Sequence, residues 1–253
     1  SLPAWQAATV SALAKLGRLS IPSLNLALED PNPIVRRNAA RALEQMGSEG
    51  GEAVLALIYA LGDPDVQVET AVSNALARIG PPPPDTAPVL ALVLRHDNYA
   101  VRSAAARALR SMGAGALDPL ITMLHDSDSN VRVLASLALC EIGRGAEDAA
   151  QSLIQLLATD NKVVKLAAAR ALEEISSTEL LASALPRLRS MLEDEDEDIR
   201  IAAIRTLRSV GGLAREAVEQ VAALLDNASV GEREEIALAL GANIGTCITA
   251  FMA

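Results

Sequence analysis

The chain has 253 residues and a formal net charge of −10; 51% of its residues are hydrophobic and 2% are aromatic. Alanine and leucine must therefore build the core, which favours closely packed helices over sheets. The acidic balance argues against nucleic-acid binding, because that class needs a basic surface to displace phosphate counterions. Two cysteines, Cys140 and Cys247, are too few for a disulfide framework, and the first ten residues do not form a secretory signal. We therefore expect a cytoplasmic protein.

One thirteen-residue segment recurs along the chain. It reads VRSAAARALRSMG at residues 101–113, and variants of it occupy residues 35–47, 68–80, 131–143, 164–176 and 199–211. The closing residues of successive segments lie 30 to 35 positions apart. A self-similar period in that range predicts stacked repeats rather than one globular core.

Each repeat is predicted to contain a helix A, an acidic turn and a helix B. The chain opens without Met on a lone second helix at residues 4–17, which indicates a processed chain or an excised piece. Helix A is then predicted at residues 21–29, 53–61, 86–95, 117–124, 149–158, 180–192 and 214–225. Helix B is predicted at residues 35–47, 66–79, 101–112, 131–142, 163–175, 199–210 and 232–244. The four prolines at 81–84 are expected to form a stiff, non-helical connector.

The spacing within helix B predicts an amphipathic helix. Val101, Ala105, Ala108, Leu109 and Met112 fall on one face of a helix with 3.6 residues per turn. The closing glycine is expected to adopt a left-handed C-cap conformation. Asp, Ser or Asn in the preceding turn is expected to cap the N-terminus of helix B.

The Asp-x-Asx turn, the Val-Arg pair, the Ala-Ala-x-Ala-Leu segment and the closing Gly resemble HEAT repeats, in the short form also found in phycobilin lyase subunits. The resemblance covers nearly the whole chain. It implies an all-α fold, an α-solenoid of stacked antiparallel helix pairs whose B helices line the concave face. We expect one array with a half-unit at 4–17 and an apolar tail at 246–253. The seven repeats between them are expected at residues 18–47, 48–80, 81–113, 114–143, 144–176, 177–211 and 212–245.

A basic residue takes the same place near the start of most B helices. These residues are Arg36, Arg102, Arg132, Lys165 and Arg200, preceded in their turns by Asp30, His96, Asp126, Thr159 and Asp194. Such a set resembles the Asp–Arg ladder that bridges successive HEAT units. Charges buried between repeats need partners, and turn carbonyls need donors. Glu69 stands at the basic position of the second repeat, so the ladder is predicted to be broken there.

A second row of arginines is the candidate binding surface. Arg41, Arg107, Arg170 and Arg205 share one position in helix B, and Arg110 and Arg208 lie three residues further on. Arginine suits an acidic or phosphorylated partner segment, because its guanidinium forms forked hydrogen bonds. The alternative is a solvated surface in which these arginines pair locally with Glu44, Glu141, Glu173 and Glu174.

Catalysis and metal binding find little support in the sequence. The acidic run at residues 193–198 lacks the glycine and the distal glutamate of an EF-hand loop, so we interpret it as a solvated turn that caps a helix. His96 and His125 lie in separate turns, and Cys140 is expected to be a small apolar filler. We therefore predict no catalytic residues, no metal site and no cofactor.

The last eighteen residues, 236–253, carry no charge. This length meets the lower limit for a membrane span, and GANIGT at 241–246 resembles a signature of sodium/phosphate cotransporters. The register of the preceding repeats instead places Ile244 and Gly245 on repeat positions. We interpret the segment as a degenerate seventh helix B followed at Thr246 by a further element or cap. A transporter fragment and a docking surface are the alternatives.

The function predicted from the sequence is a non-catalytic scaffold or adaptor. It would bind a protein or peptide, with an acidic segment, on the helix-B surface through Arg41, Arg107, Arg110, Arg170, Arg205 and Arg208. Two alternatives stay open. One is an accessory subunit of a chromophore lyase-type enzyme, and the other is the repeat domain of a membrane-associated or transporter-linked protein.

Overall fold

A computed structural model describes residues 4–175, 178–209, 215–226 and 228–251. The fold is an all-α solenoid of stacked antiparallel helix pairs, as predicted. The chain divides into two compact units, Ser1–Pro119 and Leu120–Ala253.

The first unit contains a lone helix and three helix pairs. They are α1 (Ala4–Lys15), α2 (Ile21–Ala27), α3 (Pro33–Met46), α4 (Val54–Ala60), α5 (Val66–Ile79), α6 (Ala87–Val93) and α7 (Tyr99–Ser111). Helix α8 (Leu117–Met123) spans the division. The second unit continues with α9 (Ser129–Ile142), α10 (Ala150–Leu156), α11 (Lys162–Ile175), α12 (Thr178–Leu192), α13 (Glu197–Ser209), α14 (Arg215–Ala223) and α15 (Val230–Phe251). The odd-numbered helices from α3 onward are the B helices.

Most A helices begin within one residue of the predicted start and end one or two residues early, whereas α12 begins two residues before its predicted start. 3₁₀ turns lead into several of them. Helix α4, for example, follows a 3₁₀ turn at Gly47–Ala53. Residues 81–83 are not helical, as predicted, but Pro84 opens a 3₁₀ turn at Pro84–Thr86. The prediction was wrong for Pro84, because the first residue of a helical turn needs no N–H donor.

The predicted caps are largely confirmed. Asn32, Asp65, Asn98 and Asp128 each accept a backbone N–H at the start of a B helix through Oδ1. Gly80 follows α5 with φ 83° and ψ −158°. Its positive φ was predicted, but its ψ lies outside the left-handed helical region, in a conformation that is essentially restricted to glycine.

Arg36 joins two repeats of the first unit. Its Nη1 donates to the carbonyls of Asp30 (2.8 Å) and Pro31 (3.0 Å) in its own turn. Its Nε and Nη2 donate to the carboxylate of Asp63 in the next repeat, at 2.6 and 2.9 Å. These hydrogen bonds lower the pKa of Asp63. One guanidinium has enough N–H groups for both duties, so it fixes the turn and clamps the next repeat at once.

The second unit has the same kind of ion pair between repeats at two junctions, and at one of them the basic residue also binds its own turn. Lys165 pairs with Asp194 at 3.3 Å. Arg200 donates to the carbonyls of Asp194 and Glu195, and its Nε and Nη2 reach Glu232 at 2.6 and 3.0 Å. The predicted ladder is therefore confirmed at these junctions. The carboxylate partner belongs to the following repeat, whereas the turns of Arg36 and Arg200 themselves supply main-chain carbonyls.

The predicted break in the ladder is also confirmed. Glu69 replaces the basic residue of the second repeat, and His96 replaces the acid that would face it in the third. His96 Nδ1 accepts the N–H of Asn98 at 3.1 Å, and its ring packs edge-on against Tyr59. The structure records no ion pair of Glu69 among the described residues. The second and third repeats therefore stack without the clamp.

Helix α15 differs from the prediction for the tail. It continues through Gly241 and Gly245 to Phe251, so Gly245 does not close a repeat and no new element begins at Thr246. Its N-terminus is capped by Ser229, whose Oγ accepts the N–H of Glu232. Counted from this cap, Glu232 occupies the slot that valine or isoleucine fills in the other B helices. Within the described residues, no helix combines the length and the apolar character of a membrane span.

The ion pair between Arg200 and Glu232 predicts that the stability of the protein depends on pH. The side chain of Glu232 is only 1% exposed, and hydrogen bonds from Arg200 lower its pKa from the ordinary value of 4.5. Its contribution to the free energy of unfolding is therefore complete above that value and is lost as pH falls through the depressed pKa. We expect Glu232→Gln to lower the free energy of unfolding by about 1–3 kcal/mol at pH 7. The deficit should shrink towards pH 3 in urea titrations.

Glu219→Gln is the matched control for this variant, because Glu219 is exposed on α14. It should leave the stability of the protein nearly unchanged at both pH values. A deficit of Glu232→Gln that is equal at pH 7 and pH 3 would contradict the ionic role of Glu232.

Candidate functional site

All six predicted arginines lie on B helices, and three of them have no carboxylate partner among the described residues. Arg107 and Arg170 are exposed, and Arg41 is half-buried. Arg107 makes one hydrogen bond, from Nη1 to the hydroxyl of Ser103 at 3.0 Å. The structure records no ion pair for Arg41 or Arg170 in the part of the chain that it describes. These guanidinium groups keep N–H donors for a ligand, as the arginine-row prediction requires.

The remaining predicted arginines are already engaged within the protein. Arg205 and Arg208 both donate to the carboxylate of Glu235, at 2.8 and 3.0 Å. Arg110 is half-buried and also interacts within the protein. Local pairing was the alternative that the sequence left open. It holds for Arg205 and Arg208, but their partner lies in the next repeat and is not one of the four glutamates considered.

Glu173 lies close enough to Arg205 and Arg208 for their charges to affect its pKa. Burial raises the pKa of Glu173, and the nearby charges of Arg205 and Arg208 oppose that rise. The two arginines thus sit near two carboxylates, Glu173 and Glu235. This part of the second unit is close to charge balance and offers little net attraction to an anion.

A cleft opens in the first unit between α5 and α7. Helix α5 packs closely on α3 but makes little direct contact with α7. The cleft encloses about 300 Å³. Its apolar walls include Ile58, Leu76 and Ala108, and Arg107 is the one charged residue that lines it among those the structure describes.

A second recess lies beside Arg41, between α1 and α3. Arg78, at the end of α5, also lines it, together with Glu44. Arg78 was not among the predicted site residues, because the other repeats have no basic residue at that position. Its exposure next to Arg41 adds a second guanidinium to this part of the surface.

The acidic run is an exposed turn that caps a helix, as predicted, and it also pairs with lysines of the preceding repeat. Asp196 Oδ1 accepts the N–H of Asp198 at the start of α13. Lys162 Nζ bridges Asp196 and Asp198 at 2.7 Å each, and these hydrogen bonds raise the pKa of Lys162 to about 12. Lys162 and Lys165 of the preceding repeat thus offset part of the negative charge of the run. No group of three or more His, Cys, Asp or Glu in the described ranges could hold a metal ion.

Cys140 and His125 both contact other repeats of the protein, as residues with a structural role do. Cys140 is buried, its Sγ contacts the carbonyl of Arg170 at 3.8 Å, and burial raises the pKa of its thiol. A buried thiol with a raised pKa is a poor nucleophile. His125 Nε2 lies 3.2 Å from the hydroxyl of Ser152. The prediction that Cys140 is a core filler is confirmed.

The cleft itself was not predicted. Leu76 and Ala108 fall on the core positions of helix B, so the pattern indicates that both are buried. Two signals in the sequence point to the same junction: the proline connector at 81–84 and the loss of the rung at Glu69 and His96. Neither shows which faces of α5 and α7 become accessible.

The stacked helix pairs and the ion pairs between repeats define an α-solenoid of helical repeats. The sequence matches the family of HEAT repeats over residues 21–110, 87–173 and 152–241. The chain therefore belongs to the HEAT-repeat family. No curated protein sequence matches it significantly.

Several solved structures share the fold. An engineered protein aligns with 92% of this chain and 73% of its own length, with a TM-score of 0.54 and 24% identity. One chain in the structure of the complex of CpcE and CpcF of phycocyanin lyase from Nostoc sp. PCC7120 aligns with 62% of this chain and 98% of its own length, with a TM-score of 0.53 and 25% identity. A designed armadillo repeat protein in complex with the peptide (KR)4 aligns with 88% of this chain and 98% of its own, with a TM-score of 0.49 and 21% identity.

The pairing of Arg205 and Arg208 with Glu235 yields a prediction. Glu235→Gln should release part of the positive charge of both arginines. Binding of a glutamate-rich peptide should then strengthen roughly two- to fivefold, as measured by fluorescence anisotropy. Glu234→Gln changes the net charge equally, at an exposed neighbour without a recorded partner among the described residues. Equal gains for both variants would mean that only net charge matters.

Proposed function

We propose that this protein is a non-catalytic scaffold that binds a protein or peptide partner on the exposed surface of its B helices. Its arginines there hold acidic or phosphorylated side chains of the partner. The observation that carries the proposal is that three arginines of the predicted row have no carboxylate partner in the described part of the chain: Arg41, Arg107 and Arg170. In a chain with net charge −10, such cations are free to accept an external carboxylate or phosphate.

The repeat architecture supports this role. Stacked helix pairs present an extended surface built on rigid elements, so a bound segment meets preformed contacts rather than a surface that must order itself. Arginine suits such a surface because its planar fork binds carboxylates and phosphates in a fixed geometry. A short acidic segment places its few charges on the arginines, whereas the continuous phosphate backbone of a nucleic acid would also meet the acidic remainder of the surface and be repelled there.

A second candidate function is supported by the similarity to the CpcE–CpcF complex of phycocyanin lyase. In that case the chain would be an accessory subunit that binds a protein substrate or a sister subunit of a chromophore lyase. Mixing the protein with a free bilin tests this alternative. A shift of the visible absorbance band would favour it, and an unchanged band would remove direct chromophore binding from consideration.

The scaffold proposal predicts a position-specific loss of binding. The triple variant Arg41→Glu, Arg107→Glu, Arg170→Glu should weaken the binding of a fluorescent glutamate-rich peptide at least about tenfold. The control variant Arg18→Glu, Arg144→Glu, Arg187→Glu carries the same change in net charge at exposed arginines outside the B helices. It should stay within about twofold of the wild-type affinity.

Fluorescence anisotropy measures both variants, and circular dichroism verifies that each retains its helices. Equal losses in the two variants would show that the effect is one of net charge alone. Undiminished binding in the first variant would overturn the proposed surface.

A further inference from the structure

Two core positions of helix B are open to solvent at a single junction. The leucine four residues before the closing residue is buried in the other internal repeats, as Leu43, Leu109, Leu139, Leu172 and Leu207. Its counterpart in α5, Leu76, is half-exposed. The small residue one position before that leucine is likewise buried, as Ala42, Ala75, Ala138, Ala171 and Thr206. Its counterpart in α7, Ala108, is half-exposed. Both residues line the cleft between α5 and α7.

The sequence explains why this junction of the first unit is open. The rung that joins the first and second repeats through Arg36 and Asp63 has no equivalent here, since Glu69 and His96 replace its two members. At the other end of α5, Gly80 and Pro81 line the cleft and begin the non-helical connector. Pro81 cannot continue the helix α5, and it has no N–H group with which the connector could hydrogen-bond to the adjacent helices.

The cleft combines an apolar interior with one cation. Val54, Ile58, Leu61 and Ala104 form its deeper walls, and all four are largely buried. Arg107 is exposed and uses only Nη1, on Ser103. None of the described acidic residues lines the cleft. Its volume of about 300 Å³ is at the lower end of the range for small-ligand sites, which suits one or two side chains.

We propose that this cleft is an anchor site for an acidic peptide: it takes one aliphatic side chain of the peptide between α5 and α7, while a neighbouring carboxylate pairs with Arg107. This inference rests on the proposed scaffold function and names the side chain that the scaffold selects. The aliphatic group completes the burial of Leu76 and Ala108. The carboxylate takes the N–H donors that Arg107 leaves unused, and this charge complementarity favours an acidic segment over a neutral one.

Two peptides of equal charge test the anchor. Both are fluorescent, glutamate-rich dodecapeptides, one with a central leucine and one with alanine in its place. The wild-type protein should bind the leucine peptide about tenfold more tightly. Ala108→Leu fills the cleft and should abolish this preference while leaving the dependence on Arg107 intact. Ala100→Leu, on the same helix but outside the cleft, should keep the preference.

Methyl NMR of the wild-type protein locates the bound side chain without any variant. The Leu76 methyl resonances should shift on addition of the leucine peptide and stay in place with the alanine peptide. Equal affinities for the two peptides, with binding still lost in Arg107→Glu, would overturn the anchor and leave the scaffold function standing. Absent binding, or binding that ignores Arg107, would overturn both. A Leu76 shift caused by hexanoate but not by the leucine peptide would assign the cleft to a small amphiphile and overturn the peptide anchor.

Discussion

The clamp between successive repeats is the interaction on which this fold most depends. A single basic side chain satisfies the carbonyls of its own turn and reaches a carboxylate in the next repeat, as Arg36 does with Asp63. The hydrophobic contacts between alanine-rich helices are non-directional, so they set the register of neighbouring repeats only loosely. A forked, charge-assisted contact removes that freedom because its geometry is narrow. The clamp therefore fixes the spacing that the buried alanines and leucines require.

The departure from the clamp at Glu69 and His96 coincides with the cleft that a partner can use. Arg41 and Arg170, in contrast, are available in repeats where the clamp is present. At the junction of the second and third repeats both members are replaced, and the cleft beside Arg107 opens there. At the junction of Arg200 with Glu232 the clamp is present, and the nearby arginines Arg205 and Arg208 are bound to Glu235. Arginine at these positions thus pairs within the protein in one repeat and is available to a partner in another. What differs is the presence of an acid in the following repeat.

Much of the fold could be predicted from the sequence because the same residue pattern recurs in each repeat. The helix pairs, the N-caps, the clamp and its break at Glu69 are visible in the period and in the residue types. The tail misled the prediction because glycine usually ends these helices, whereas α15 continues through Gly245. The site was harder to predict, since it depends on exposure. Leu76 has the same residue type as its buried counterparts, and only the positions of α5 and α7 show that it is accessible.

The link between the missing clamp and the open junction can be tested by restoring the clamp. The double variant Glu69→Arg, His96→Asp places the first repeat's pair at the second junction. Hydrogen exchange followed by mass spectrometry reports how often the local backbone opens. We predict slower exchange in the turn at residues 96–98 and in the helices α5 and α7, and no change in α11. Unchanged exchange in α5 and α7 would contradict the claim that the clamp sets the packing of successive repeats.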